Sequence, residues 1–205
     1  MSQTRQDKAQ TTRRALLDAA LSVIGSKGYS AASVEAIVEA AGVSKGTAYV
    51  HFKSKAALAQ AILEESLLGL IESFTKQAES SEDAAGTLQH MIRSFASLIF
   101  NNPEFGHFLL SEIWREGREW SGRMRELELE ILSLLESQIV RGQREGIIRE
   151  DINPRFEAVA LVGMVLTSAL YYLGEQESTK SQKQEVFIER VSDFVRHASM
   201  VREFS

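Results

Sequence analysis

The 205-residue chain contains no cysteine, which excludes disulfides and thiolate metal sites and is compatible with a reducing compartment. Only two prolines and 13 glycines are present, so long uninterrupted helices are expected in place of a turn-rich sheet fold. The four histidines, His51, His90, His107 and His197, stand apart, and no HExxH, nucleophile–base or paired-carboxylate pattern rises above helix-surface charge. No enzyme chemistry, metal or cofactor is expected. The polar, basic start MSQTRQDKAQTTRR has no apolar segment and does not read as a signal peptide. The one uncharged run, Ala158 to Gly174, falls short of a ~30 Å hydrocarbon core at ~1.5 Å per residue, so it reads as a buried helix and no membrane partner is expected.

What is present is apolar content of 44%, ample for a core, and an uneven charge. Residues 1–55 hold eight Lys/Arg against four Asp/Glu, a net +4, which leaves 15 against 24, a net −9, in the remainder. A basic head on an acidic body suits a nucleic-acid-binding domain joined to one that does not bind nucleic acid.

Periodicity gives an all-α fold of about nine helices. Residues 1–10 read as a flexible basic arm, 11–55 as a head, 56–200 as a helical body and 201–205 as a tail. Leu16, Leu17, Ala20, Val23 and Ile24 form a stripe on a first helix that Gly28 ends. Ser33 caps a second helix with Val34, Ile37, Val38 and Ala41 inward, Gly42 makes a tight turn, and Ser44 caps a third that runs to about His51. Ser54 caps a fourth, expected to end near Gly69. Further helices are expected from the SSED segment to Phe100, from Pro103 to Trp114, from Gly122 to Glu145, from Pro154 to Leu173 and from Gln184 to Met200.

Helix, glycine turn and second short helix, SVEAIVEAAGVSKGTAYVHF, are the parts of a helix-turn-helix whose second helix can enter a major groove ~12 Å wide. Through LLDAAL, GYSAAS and above all AGVSKGT-x-Y-x-HF-x-SK, residues 11–62 resemble the DNA-binding domain of the TetR (tetracycline repressor) family of bacterial regulators. The later segments NNPEFGHFLLSE and GIIRED match more loosely. The resemblance implies that Lys45, Gly46, Thr47 and Val50 face base edges, with Lys45 donating to guanine and the methyls of Thr47 and Val50 touching thymine. Ser33, Ser44, Tyr49, His51 and Lys55 would contact phosphates. Two departures are Ala48, where relatives often carry a larger apolar residue, and Val38, in place of a common alanine; they read as a compensating volume swap.

One short helix reads few bases, so a homodimer on a palindromic operator is expected. The resemblance places the dimer interface on the last two helices, through Leu161, Gly163, Val165, Ser168, Ala169, Val186, Val191, Phe194 and Val195. It also implies a pocket for an apolar or aromatic inducer among the central helices. Candidate lining residues are Met91, Phe95, Phe105, Phe108, Trp114, Met124, Leu127, Met164 and Tyr171. The expected function is a cytoplasmic repressor released from its operator by that inducer, with the fourth helix as lever. The rival is a constitutive or architectural DNA-binding protein without ligand control.

Overall fold

The computed structural model describes residues 2–113, 122–174 and 179–201. Among these the chain is all α, with nine helices and no strand beyond an isolated bridge between Ile148 and Met200. The helices are α1 (Ser2–Lys27), α2 (Val34–Ala41), α3 (Lys45–His51), α4 (Lys55–Ser80), α5 (Ala84–Phe100), α6 (Pro103–Ile113), α7 (Gly122–Arg144), α8 (Pro154–Gly174) and α9 (Lys180–Ser199).

The first three build a small head. Leu16, Ala20 and Ile24 of α1 are buried with Ile37 of α2, Ala48 of α3 and Phe52. The expected caps form: Ser33 Oγ accepts from Ala36 N, Ser44 Oγ from Thr47 N and Ser54 Oγ from Ala57 N, each at 3.1 Å. Each fixes where its helix starts. Gly28 (φ 80°) and Gly42 (φ 66°) end α1 and α2 in the left-handed region, as their positions predict. Ala48 is buried and Val38 packs against the same core, so both positions of the volume swap face inward.

Three helix boundaries differ from expectation. Helix α1 starts at Ser2, so residues 2–10 continue it and do not form a separate arm. Nothing in that stretch breaks a helix, and Thr11 and Thr12 donate their hydroxyls to the carbonyls of Asp7 and Lys8 at 2.9 Å. Helix α4 runs past Gly69 to Ser80, because Leu70, Ile71 and Phe74 prolong its buried face. Helix α9 starts four residues before Gln184, where Thr179 and Gln182 form a reciprocal capping box.

Helix α4 packs on α1 and then on α5 and α7, so it leads from head to body without a break. The α4–α5 turn is pinned to α7: the Arg141 guanidinium donates to the Ser81 and Glu82 carbonyls, and Ala84 N donates to Glu145 Oε2 at 2.9 Å. A second link joins head and body. Gly25 of α1 lies so close to Glu104 of α6 that a Cβ added there would stand 2.3 Å from the Glu104 Cβ. Only glycine permits that approach.

The reading of α8 as a buried helix is corrected. It is 21 residues long, about 31 Å at the α-helical rise, so length alone does not separate it from a membrane span. Only 22% of its most apolar window is buried within the chain. One side packs against α5, α6, α7 and α9. The other is open, and Phe156 (71%) and Tyr171 (66%) are exposed on it.

The Gly42 turn gives a direct test. Gly42→Ala should destabilise the protein by about 1–2 kcal/mol, the cost of a left-handed L-residue, because space is available but the conformation is not. Urea unfolding of the two proteins side by side measures the difference.

Candidate nucleic-acid interface and apolar cavity

Helix α3 is seven residues long and turns one face to solvent. Ala48 anchors its inner side. Lys45, Gly46, Tyr49 and Val50 are exposed, and Thr47 is half-buried. Val50 is 83% exposed, a branched apolar side chain held in water with no cover from its own chain. Thr47 Oγ1 lies 2.8 Å from Ser44 Oγ, so its hydroxyl is engaged at the cap. A Cβ on Gly46 would meet only Ser44 Oγ at 3.8 Å; the glycine there keeps the outer surface low. His51 is half-buried against the Phe52 ring, 6.5 Å between centroids. Lys45 is not free: its ammonium is ion-paired with Glu35 in the first turn of α2, and both groups are on the surface. The pair holds the Glu35 carboxyl below its usual range and raises the Lys45 ammonium, chiefly through their shared hydrogen bond.

Lys55 requires a correction. Its ammonium donates to the Tyr29 carbonyl at 2.6 Å and the Ala32 carbonyl at 2.8 Å, and sits 4.5 Å from the centre of the Tyr29 ring. It fastens the α1–α2 loop to the start of α4, because those carbonyls lie in no helix and need a donor. Lys53, two residues earlier, is exposed in the α3–α4 turn and escaped the sequence reading, which had no means of telling which of two nearby lysines turns inward.

The body holds a partly open apolar cavity of about 190 Å³ walled by α4, α5, α6, α7 and α8. Two expected pocket residues, Met91 and Phe95, line it. The other walls come from residues not foreseen, among them Leu70, Phe74, Leu109, Ile131 and Leu166, and among the described residues the only charged group is Glu128. Phe105, Phe108, Met124 and Leu127 are buried among core side chains and do not line it. Met164 faces a different hollow, Tyr171 is on the surface, and Trp114 lies outside the described residues. Apolar periodicity identifies an inward face without distinguishing a wall from a filled core.

Of the expected interface residues, Val165 and Ala169 are buried within the chain itself, and Val165 is a cavity wall; those two assignments are corrected. Leu161, largely buried and also a cavity wall, lines a surface groove of about 510 Å³ between α8 and α9 with Ser168, Val191, Phe194 and Val195, and Gly163 and Val186 are exposed. Phe194, 61% exposed, continues the open face formed by Phe156, Val159, Leu170 and Tyr171. A larger cleft of mixed lining, about 620 Å³ between α1, α4 and α5, holds His90, which is 3.0 Å from Ser94 Oγ; Arg14 there is neutralised by Asp18 and Glu65.

The two lysines separate by experiment. Lys55→Met should lower stability by about 1–3 kcal/mol, since buried carbonyls lose their donor. Lys53→Ala should leave stability within ~0.5 kcal/mol and lower the salt slope of DNA binding by about one. Urea unfolding and salt-titrated binding to one duplex give both numbers.

Comparison with known proteins agrees with this architecture. A family described as "Bacterial regulatory proteins, tetR family" matches residues 16–62, and a "Tetracyclin repressor-like, C-terminal domain" matches residues 85–185. The HTH-type transcriptional regulator UidR of Escherichia coli K12 is 30% identical over 75% of this chain and 77% of its own. The fatty acid metabolism regulator protein of Bacillus subtilis is 25% identical over 73% and 77%. Among solved structures, the fatty acid degradation regulator FadR of Bacillus halodurans superposes with a TM-score of 0.83 at 18% identity, covering 91% of this chain and 95% of that one. The Bacillus subtilis FadR, solved in complex with stearoyl-CoA, gives 0.76 at 22% identity, covering 87% and 97%. The chain is not an enzyme; it belongs to the TetR family of helix-turn-helix transcriptional regulators.

Proposed function

We propose that the protein is a homodimeric cytoplasmic repressor that binds a palindromic operator through two copies of α3 and is released by an apolar or partly aromatic small molecule in the α4–α8 cavity. The observation that carries the DNA reading is Val50. Water gives no reason to hold a branched apolar side chain at the outer tip of a capped two-turn helix, whereas the thymine methyl in a major groove does. Lys45, Gly46 and Thr47 share that helix as base-reading groups. Tyr49 and His51, with Lys53 in place of Lys55 and the helix starts at Ser33 and Ser44, supply phosphate contacts.

The homodimer rests on the open apolar face of α8 and α9. Large contiguous apolar patches are uncommon on monomers, and a two-fold axis would cover the same patch on both copies. Leu161, Gly163, Ser168, Val186, Val191, Phe194 and Val195 remain in the interface, joined by Phe156, Val159, Leu170 and Tyr171.

Ligand control rests on shared walls. Leu67, Leu70 and Phe74 of α4 and Leu109 of α6 line the cavity. The same two helices carry the head, α4 by continuity and α6 by its contact at Gly25. A ligand that parts α4 or α6 therefore displaces the reading helix, with a coupling of ~1–3 kcal/mol. An apolar cavity of about 150 Å³ accepts benzene, so the present volume seats a ligand portion of that size unaltered. The stearoyl-CoA held by the Bacillus subtilis relative supports an apolar ligand, and a chain of that length would need α7 and α8 to separate here.

Selection from a random duplex pool should return an inverted repeat with half-sites about 34–36 Å apart. The protein should sediment at twice the 22.8 kDa chain mass. Phe156→Glu with Phe194→Glu should reduce both the mass and the recovered site to one copy; an unchanged mass would remove this face from the dimer. Val162→Phe, which fills the cavity, should leave operator affinity intact. It should abolish release by short neutral alkylbenzenes that release the wild type; release by none of them in either protein would favour the constitutive binder.

A further inference from the structure

We infer that Glu35 reads sequence together with Lys45, the two forming an acceptor–donor pair matched to one G·C base pair, guanine against the ammonium and cytosine against the carboxylate. The inference rests on the proposed role of α3 as the base-reading helix, and adds a residue from α2 to the readout.

A carboxylate at the edge of a DNA-facing surface is otherwise a cost, because it faces phosphates. Glu35 is nonetheless in the first turn of α2, with its side chain 65% exposed, and it holds the ammonium of Lys45 across ten residues of sequence. Lys45 is the first residue of α3, at the end of the helix that enters the groove. Ser33 and Ser44 cap the two helices immediately before these residues, which sets both side chains at adjoining helix starts.

The chemistry of the pair selects the base pair. An ammonium has three donors, so Lys45 can keep Glu35 and still donate to guanine O6 and N7. The carboxylate accepts only, and the group beside guanine O6 in the major groove is the cytosine N4 amine, a donor. Inverting the pair sets guanine O6 against the carboxylate, two acceptors facing each other. A thymine in place of cytosine presents O4 and a methyl, neither of which can donate. Of the other pairs only T·A offers Glu35 a donor, the adenine N6 amine, and it does so with no N7 acceptor for Lys45; the remaining two leave Glu35 opposed to DNA without compensation, which sharpens discrimination by penalising wrong sites. A surface carboxylate and ammonium are both ionised near neutral pH, and their pairing moves each further in that direction.

The test uses the operator recovered by selection, at the G·C position whose preference is lost in Lys45→Ala. Replacing that guanine by 7-deazaguanine removes the N7 acceptor, and replacing its cytosine by N4-methylcytosine fills the major-groove donor position. Wild-type affinity should fall about tenfold for each substituted duplex. Glu35→Ala should keep the 7-deazaguanine loss and become indifferent to N4-methylcytosine, whereas Lys45→Ala should become indifferent to 7-deazaguanine. Indifference of the wild type to N4-methylcytosine overturns the inference, as does a full penalty retained in Glu35→Ala. So does a Glu35→Ala protein that binds all sequences more tightly with unchanged preference, since that outcome makes Glu35 a source of repulsion only. If the wild type selects no repeat, the base-reading role of α3 has itself failed, an outcome separable from all of these.

Discussion

Nine residues of α4 are buried, in a face running from Leu58 and Ile62 through Leu67 and Leu70 to Phe74. At ~1.5–3 kcal/mol for each large apolar side chain, that burial is comparable with the whole net stability of a domain, ~5–15 kcal/mol. The helix is therefore held along its length and moves as a rod. Its first turns are fixed to the head by Lys55, and its middle forms a wall of the cavity. No flexible linker separates the head from the cavity wall, so a displacement of that wall has no intermediate place to dissipate.

Local chemistry explains what was legible beforehand. The caps at Ser33, Ser44 and Ser54 and the left-handed glycines 28 and 42 are decided within a few residues, and they stand where their spacing put them. The short, outward-facing α3 follows from them. What failed to show was partnership between distant parts. Lys55 and Lys53 look alike in sequence, and only the folded loop, whose Tyr29 and Ala32 carbonyls accept from Lys55, tells them apart. Leu161 and Phe194 are both apolar residues on late helices, yet one closes a cavity and the other meets water. Periodicity separates inside from outside and cannot say which inside surfaces touch.

The charge asymmetry also changes meaning once partners are known. The net +4 of the first 55 residues suited a nucleic-acid-binding head. Arg13 is ion-paired with Glu65 and stacks on Phe52, Arg14 is shared between Asp18 and Glu65, and Lys55 is spent on carbonyls. Much of the positive charge thus holds the head to α4. The cations free to meet phosphates are fewer than the net charge implies, and the acidic body resists collapse onto neighbouring phosphates.

The approach of Gly25 to Glu104 leaves the α1 backbone directly against the root of the Glu104 side chain at the second joint between head and body. Side chains at a helix crossing ordinarily act as buffers, because a rotamer change can absorb a few tenths of an ångström. This crossing has none on the α1 side. Displacement of α6 is consequently handed to α1 undamped, and the position has no spare room in which to evolve: drift there would lock the head in one posture whatever occupies the cavity.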